Sequence, residues 1–257
     1  TLRSAAPANI GRASSRARVE IAGVAEFLKE AIRRIRTLEA VTLDAMIFLN
    51  RGTEFDARIL PDAAQWSPVM GIAVADWDGD GDQDVFLAQN FFAVQPMLPR
   101  NDAGRGLILV NRGHGDLDPL PGDLSGLQVY GEQRGCAAAD WDGDGRVDLA
   151  VAQNGAETKL YRNSVARPGL RVRVQGPPGN PRGIGVALRA RWGDWWSPGV
   201  ELQSGSGGMS QHGLVTVLAR PPGEAGRDGE VLARWPGGKV TRTPIPPNAL
   251  EVLVTVP

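Results

Sequence analysis

The sequence predicts an all-β chain preceded by one helix. Three observations carry this. Glycine (33) and proline (19) together fill about a fifth of the 257 residues, punctuation that suits short strands and turns rather than long helices. From residue 41 onward, apolar and polar residues alternate over short runs. One segment, Ala73–Asn90 (AVADWDGDGDQDVFLAQN), returns 64 residues later as Ala137–Asn154 (AAADWDGDGRVDLAVAQN), so the middle of the chain is built from repeats.

Composition bounds the rest. Apolar residues make up 42% and charged residues 22%, ordinary globular usage that supports a packed core. No run of 18 apolar residues exists, so no membrane span is expected. A single cysteine, Cys136, excludes an internal disulfide framework and a cysteine zinc cluster. The net charge of −1 hides segregation: residues 1–60 carry +3, residues 61–163 carry −9 and residues 164–257 carry +5. The basic ends lack a Lys/Arg run, so no nucleic-acid partner is expected.

Residues 1–18 hold Arg3, Arg12, Arg16 and Arg18 and no acid, and read as a linker rather than a targeting segment. Val24, Phe27, Leu28, Ala31, Ile32, Ile35 and Leu38 then fall on one face of an amphipathic helix, expected to pack on its own domain. From Val41 to Leu49 the period becomes two, a strand closed by Arg51-Gly52. Its end, Ile47–Gly52 (IFLNRG), matches Ile108–Gly113 (ILVNRG). Lys159–Asn163 (KLYRN) reads as the start of a third, shortened copy, and residues 91–106 as an inserted loop. Beyond Pro168 new strands are expected at Leu170–Val174, Val186–Trp192, Val215–Leu218, Val231–Trp235 and Leu250–Val256. The domain reading is therefore residues 1–40 as linker and helix, 41–166 as repeats, and 167–257 as a small β domain.

The acidity of the middle is concentrated in two loops. Asp76, Asp78, Asp80 and Asp84 stand at positions 1, 3, 5 and 9 of one, and Asp140, Asp142, Asp144 and Asp148 at the same positions of the other. Short carboxylates on alternate residues can converge on one hard cation, which takes six to eight oxygens in the case of Ca²⁺. Gly81 and Gly145 at position 6 permit the left-handed turn round the ion. Position 7 differs, Asp82 in one loop and Arg146 in the other, so a main-chain carbonyl is the ligand expected there. Position 12 is Leu87 or Val151 rather than Glu, and the flanks read as strands, so this is not a helix–loop–helix calcium hand. Two bound Ca²⁺ ions are expected, and Mg²⁺ is disfavoured because it wants a smaller octahedral shell that keeps its waters.

DWDGDGDQD and DWDGDGRVD resemble the FG-GAP/VCBS repeats of calcium-binding β-propellers, as in integrin α-subunits. The tail, GNPRGIGVALRAR with SGSGGMSQ and ARWPGGKV, resembles the ASPIC/UnbV domain, and the pair is similar to bacterial relatives of cartilage acidic protein. The resemblance spans roughly residues 41–250. It departs at Gly213–Leu218 (GLVTVL), where that family usually carries a His-Phe-Gly-Leu-Gly-like stretch. It implies a partial calcium-binding propeller of two to three blades plus the small C-terminal β domain, secreted or periplasmic. Propellers close with four to eight blades, so further upstream blades or a protein partner are expected to cover the open edge.

Other residues are weighed on their own chemistry. Trp195 and Trp196 form a turn that offers a face to a carbohydrate or a protein partner, although alternation buries one of them and local packing is the expectation. Trp77 and Trp141, at position 2 of the loops, are expected between blades. Ser210, Gln211 and His212 suggest a nucleophile and base, but adjacent residues on a strand point to opposite faces and no orienting carboxylate is readable, so no such site is expected. His114 reads as a turn residue, Cys136 as buried, and Glu132 with Arg134 as a structural ion pair. The sequence thus points to a non-catalytic extracytoplasmic protein acting in binding or assembly. Its rivals are an enzyme with its site on the propeller face and a subunit of a membrane-associated complex. The compartment follows from energetics: sites with Kd on the order of 10⁻⁴–10⁻³ M stay empty at cytosolic calcium, and clustered carboxylates then repel.

Overall fold

The structure is a computed structural model and describes residues 42–223 and 226–256. The helix expected over Val24–Leu38 and the residue Val41 lie outside the described residues. Among the described residues, 43% lie in strands and 4% in helices, an all-β arrangement of several sheets, none of them closed. Residues from Met46 onward form one compact unit.

The first half is a string of antiparallel meanders. A hairpin of β1 (Met46–Asn50) and β2 (Phe55–Ile59) comes first, followed by the single turn α1 (Asp62–Gln65). A four-stranded sheet follows in sequence order: β3 (Val69–Ala75), β4 (Asp84–Gln89), β5 (Leu107–Asn111) and β6 (Leu117–Pro119). After the turn α2 (Gly122–Ser125), β7 (Glu132–Ala139), β8 (Asp148–Asn154) and β9 (Ala156–Tyr161) form a three-stranded sheet. The repeat extends to backbone detail. A bulge interrupts β3·β4 between Val69 and Gly71, and another interrupts β7·β8 between Gln133 and Gly135, 64 residues on. Residues 91–106 form the expected loop, with a bridge between Phe91 and Asn101 and further hydrogen bonds between Asn90 and Gly104 and from the Phe92 amide to Glu132.

The third copy expected from Lys159 needs correction. Lys159–Tyr161 belong to β9, which pairs with β8 as β5 pairs with β4. KLYRN therefore ends the second unit rather than opening a third. By the same match, β1 and β2 correspond to β5 and β6, the outer half of a unit. The strand before Asn50 starts at Met46, and β1 pairs with β2 alone among the described residues.

Central strands are apolar on both faces, as in β5 (LILVN), whereas edge strands such as β9 (AETKLY) are mostly exposed. Ala73, Phe86, Ala88, Ile108, Cys136, Ala138, Leu149 and Val151 close a core shared by the two sheets, with β3 lying beside β7. Burial pushes the Cys136 thiol up to about 12, which leaves it inert, as its place in the sequence implied.

The tail forms two further sheets. In the first, β10 (Leu170–Gln175) lies between β14 (Thr216–Leu218) and, in parallel, β17 (Glu251–Thr255). In the second, β11 (Ala187–Trp192) pairs with β12 (Trp195–Trp196), β13 (Val200–Glu201) and β15 (Gly229–Arg234), and β15 with β16 (Val240–Ile245). Leu170, Val186, Leu188, Val231 and Val254 lie in their common core. β16 was not anticipated, because GGKVTRTPIPP reads as turn residues; its alternating burial and its ladder to β15 decide otherwise.

The stretch Ser206–Gly213 (SGGMSQHG) stitches the tail to β7. The Cys136 amide donates to the Gly207 carbonyl at 3.0 Å, the Gly213 amide to Ala138 at 2.9 Å, and the Ser210 hydroxyl to Cys136 at 2.6 Å. Gly207 has φ +64°, and a Cβ there would lie 1.8 Å from the Cys136 carbonyl oxygen. A side chain would be strained and would also force the two segments apart. Gly207→Ala is expected to destabilise the protein by about 2–4 kcal/mol in urea unfolding, whereas Gly223→Ala, with no atom within 4 Å of its added Cβ, tests the strain component alone.

Candidate metal centre

Each Asp loop joins the first two strands of its sheet, β3 to β4 and β7 to β8, so strands rather than helices flank it. The ninth-position carboxylates, Asp84 and Asp148, are 0% and 1% exposed. Each accepts two backbone amides: Asp84 from Trp77 and Asn111, both at 2.9 Å, and Asp148 from Trp141 at 3.1 Å and Asn163 at 2.7 Å. The first-position carboxylates are gripped likewise. Asp76 takes the amides of Gly79 and Gly81, and Asp140 those of Gly143, Asp144 and Gly145. Gly81 (φ +106°) and Gly145 (φ +82°) make the left-handed turn that aims these amides inward.

Carboxylate oxygens of Asp76, Asp78 and Asp84 lie within 4.8 Å of one another, and so do those of Asp140, Asp142 and Asp148. Positions 1, 3 and 9 therefore converge. At position 5, Asp80 and Asp144 accept the amides of Asp82 and Arg146. Asp82 is exposed, and the Arg146 guanidinium turns to Asp144 at 2.8 Å and to the Ala166 carbonyl at 2.7 Å. Three carboxylates on one point form a hard, all-oxygen donor set that fits a divalent cation.

Asn111 and Asn163 escaped the sequence reading. Each sends its amide to the ninth-position carboxylate and its side-chain nitrogen to the carbonyl just before it, Gln83 or Val147. The signal was present: Asn recurs at the end of ILVN and KLYRN, and its role follows once those runs are third strands of their units.

The two loops differ in compensation. Among the described residues, no hydrogen bond or ion pair brings a cationic side chain to Asp76, Asp78 or Asp84. Burial pushes Asp76 up to about 7, with repulsion from Asp84, Asp78 and Asp80 adding to it, and pushes Asp84 up to about 6. Burial raises Asp78 as well. In the second loop, Arg171 from β10 bonds Asp140, Arg162 bonds Asp142 at 2.5 Å and Asp144 at 3.2 Å, and Arg146 bonds Asp144. Arg171 also bonds Glu251 at 2.9 Å, tying this loop into the C-terminal sheet. Burial would raise Asp144, but the Arg146 amide and guanidinium outweigh it and hold it low.

Trp77 is buried against Phe86, edge to face at 6.4 Å, and its carbonyl accepts the Asn163 side chain of the next unit. Trp141 is a correction: it is 58% exposed. Trp77 has the β7–β9 sheet beside it, whereas after β9 the chain turns into the tail, and no further repeat sheet follows Trp141 among the described residues. Trp195 and Trp196 are half-buried. Trp195 leans on Trp192 at 5.9 Å, and the guanidinium groups of Arg189 and Arg191 lie 5.2 and 5.3 Å from the Trp196 ring centre.

Ser210 and His212 do not face each other chemically. Ser210 donates to the Cys136 and Ser206 carbonyls, and His212 Nδ1 accepts the Ala138 amide. Glu132 and Arg134 form the expected ion pair at 2.8 Å, and His114 sits at φ +57° in a turn. No protein-family model matches the chain, and no curated protein matches it.

The raised carboxyls make stability depend on pH. A group whose folded pKa is raised stabilises the fold fully below its unfolded value, 3.8, and loses that contribution as pH rises through its folded value. Without divalent cations, the melting temperature is expected to fall between about pH 4 and pH 7, as followed by circular dichroism. Charge removal should act with opposite sign in the two loops. Above pH 7 in chelator, Asp76→Asn raises the melting temperature, whereas Asp140→Asn strips the nearly buried Arg171 of a partner and costs about 1–3 kcal/mol.

Proposed function

We propose that this protein is a calcium-stabilised, non-catalytic member of the FG-GAP/VCBS propeller proteins that acts outside the cytosol in binding or assembly. The observation that carries this reading is the duplicated loop geometry, with positions 1, 3 and 9 converging twice on the same backbone frame. In this reading the β3–β6 sheet is a whole blade, β7–β9 a three-stranded blade, and β1–β2 the outer half of a preceding one. The tail from residue 167 is the ASPIC/UnbV-like domain. Asp76, Asp78 and Asp84 hold one Ca²⁺, and Asp140, Asp142 and Asp148 a second, with Asp80 and Asp144 and the main-chain carbonyls of Asp82 and Arg146 completing the shells. Further blades or a protein partner pair with the edge of β1 that no described strand covers.

The ion supplies charge here, not catalysis. It neutralises carboxylates that burial and mutual repulsion otherwise make costly, and it fixes the turn between the first two strands of each sheet. Calcium rather than magnesium suits a site made of many protein oxygens. A working compartment with millimolar calcium follows from the weak affinity of such modules, with Kd on the order of 10⁻⁴–10⁻³ M.

Calorimetric titration of the chelator-stripped chain with CaCl₂ tests the reading. Two classes of site are expected, the Asp76 loop filling first because the Asp140 loop must displace Arg171. With Kd ~10⁻⁴ M and ~1 mM ion, each site raises stability by about 1.4 kcal/mol. Asp84→Asn removes the tighter class and Asp148→Asn the weaker. Absence of binding up to several times 10⁻³ M, or a melting midpoint indifferent to calcium, contradicts the reading.

A further inference from the structure

At the end of the repeat sheets away from the Asp loops lies a cavity of 330 Å³. The strand directions place it there: β3 runs toward Asp76 and β4 returns from it, so Gln89 at the end of β4 and Trp66 just before β3 meet at the far end. Arg105, two residues before β5, and Tyr130, two residues before β7, reach the same end. All four line the cavity, together with Asp102.

Two of these are large aromatic side chains left in water. Trp66 is 65% exposed and Tyr130 63% exposed. Neither enters a ring contact or cation–π contact among the described residues, in contrast to Trp196 beneath its two arginines. Aromatic rings turned to solvent around one concavity mark a recognition site rather than a core. The polar groups are also uncommitted. Neither the Asp102 carboxylate nor the Arg105 guanidinium makes a hydrogen bond or ion pair with the described residues. Gln89 is 2% exposed; its Nε2 donates to the Ala63 carbonyl at 3.3 Å, while its Oε1 accepts nothing from the described residues. That oxygen stands at the cavity wall as an acceptor open to a donor from outside the chain.

The floor is built to hold these groups still. Asn90 is fully buried at φ +87°. Its side chain accepts from the Gly104 amide at 2.8 Å and the Ser67 hydroxyl at 3.0 Å, and donates to the carbonyls of Gly104 at 2.8 Å and Gly131 at 3.0 Å. One carboxamide thus ties together the three loops that carry Trp66, Arg105 and Tyr130. Arg105 is fixed further, because its guanidinium lies flat over Gly122, where a Cβ would sit 2.4 Å from its central carbon. The second repeat lacks this arrangement: its counterpart Asn154 is exposed and bonds Glu132.

We infer that this cavity binds a short saccharide. A pyranose has an apolar C–H face for an aromatic ring and a rim of hydroxyls that both donate and accept. Trp66 and Tyr130 supply the rings, Asp102 and Gln89 the acceptors, and Arg105 the donor. The volume lies at the lower end of small-molecule sites, about 300–1,000 Å³, which sets the ligand at a short saccharide. A nucleotide fits less well, because one carboxylate offsets the one guanidinium and no cluster of cations awaits a phosphate.

The test is titration of the 257-residue chain with cellobiose, maltose, chitobiose, xylobiose and mannobiose, read by tryptophan fluorescence and calorimetry, with calcium and with chelator. At least one disaccharide is expected to bind saturably in both conditions, since the cavity shares no residue with the Asp loops. Trp66→Ala and Tyr130→Ala should each weaken binding about tenfold, and Asp102→Asn and Arg105→Gln should weaken it as well. The aromatic variants keep the parental melting temperature, because both side chains are exposed. Trp196→Ala leaves affinity unchanged. The inference is overturned if no disaccharide binds up to its solubility, if binding survives the Trp66/Tyr130 double substitution, or if Trp196→Ala rather than Trp66→Ala abolishes it.

Discussion

Removing a carboxylate from water costs several kcal/mol unless its oxygens are met by donors or cations. Asp84 and Asp148 are fully buried carboxylates at matching positions of the two loops, and the local architecture is arranged around them. Each is reached by an amide from the loop and another from the end of the third strand: Asn111 closes β5, and Asn163 lies two residues beyond β9. A single side chain thereby fixes the loop's position over the sheet and the register of the third strand. The left-handed glycines of the loops and the recurring Asn111 and Asn163 serve this frame, which is why they recur at matching places. The amides satisfy hydrogen bonding but leave the negative charge in place, and the loops solve that remaining problem differently.

In the second loop the chain supplies its own cations, and one of them, Arg171, comes from β10 in the tail. The tail is therefore joined to the repeats at several points, through the Ser206–Gly213 stitch on β7, the Gly169–Gly145 backbone hydrogen bond and the Arg171–Asp140 pair. Arg171 also holds Glu251, so the charge state of a repeat loop is in contact with the β10·β17 ladder. In the first loop no described cation bonds Asp76, Asp78 or Asp84, Arg112 acts on Asp78 only through space, and burial and mutual repulsion push these carboxyls upward. A cation is the simplest remedy for the first loop and a competitor of arginine at the second.

What the sequence disclosed follows from the reach of its signals. The loops were legible because a nine-residue pattern is local, and its glycines and carboxylates need no distant partner to be recognised. Most strands of the tail were legible from alternation. β16 was hidden by Gly, Pro and Thr, which read as turn residues until a neighbouring ladder claims them. KLYRN was placed on the wrong side of a unit boundary, because a strand–turn signature does not say which strand of the repeat it is. The arginines of the second loop were invisible for a different reason. Arg162 and Arg171 lie 18 to 31 residues from the acids they meet, a separation only the fold closes. The cavity between Trp66 and Tyr130 was equally out of reach, since its walls come from three separate connections and the end of β4.

The central claim is that the Asp loops gather a divalent cation beside their own tryptophans. Trp77 and Trp141 stand next to the first ligand of each loop, so an ion bound there sits within energy-transfer range of an indole. Terbium, which takes calcium's place among oxygen ligands and emits when a nearby indole is excited, reads this directly. The account predicts sensitised emission on excitation of tryptophan, quenched by competing calcium and reduced when Asp76 and Asp84 are both replaced by Asn. Emission that is absent, or that calcium and these substitutions leave unchanged, would contradict it.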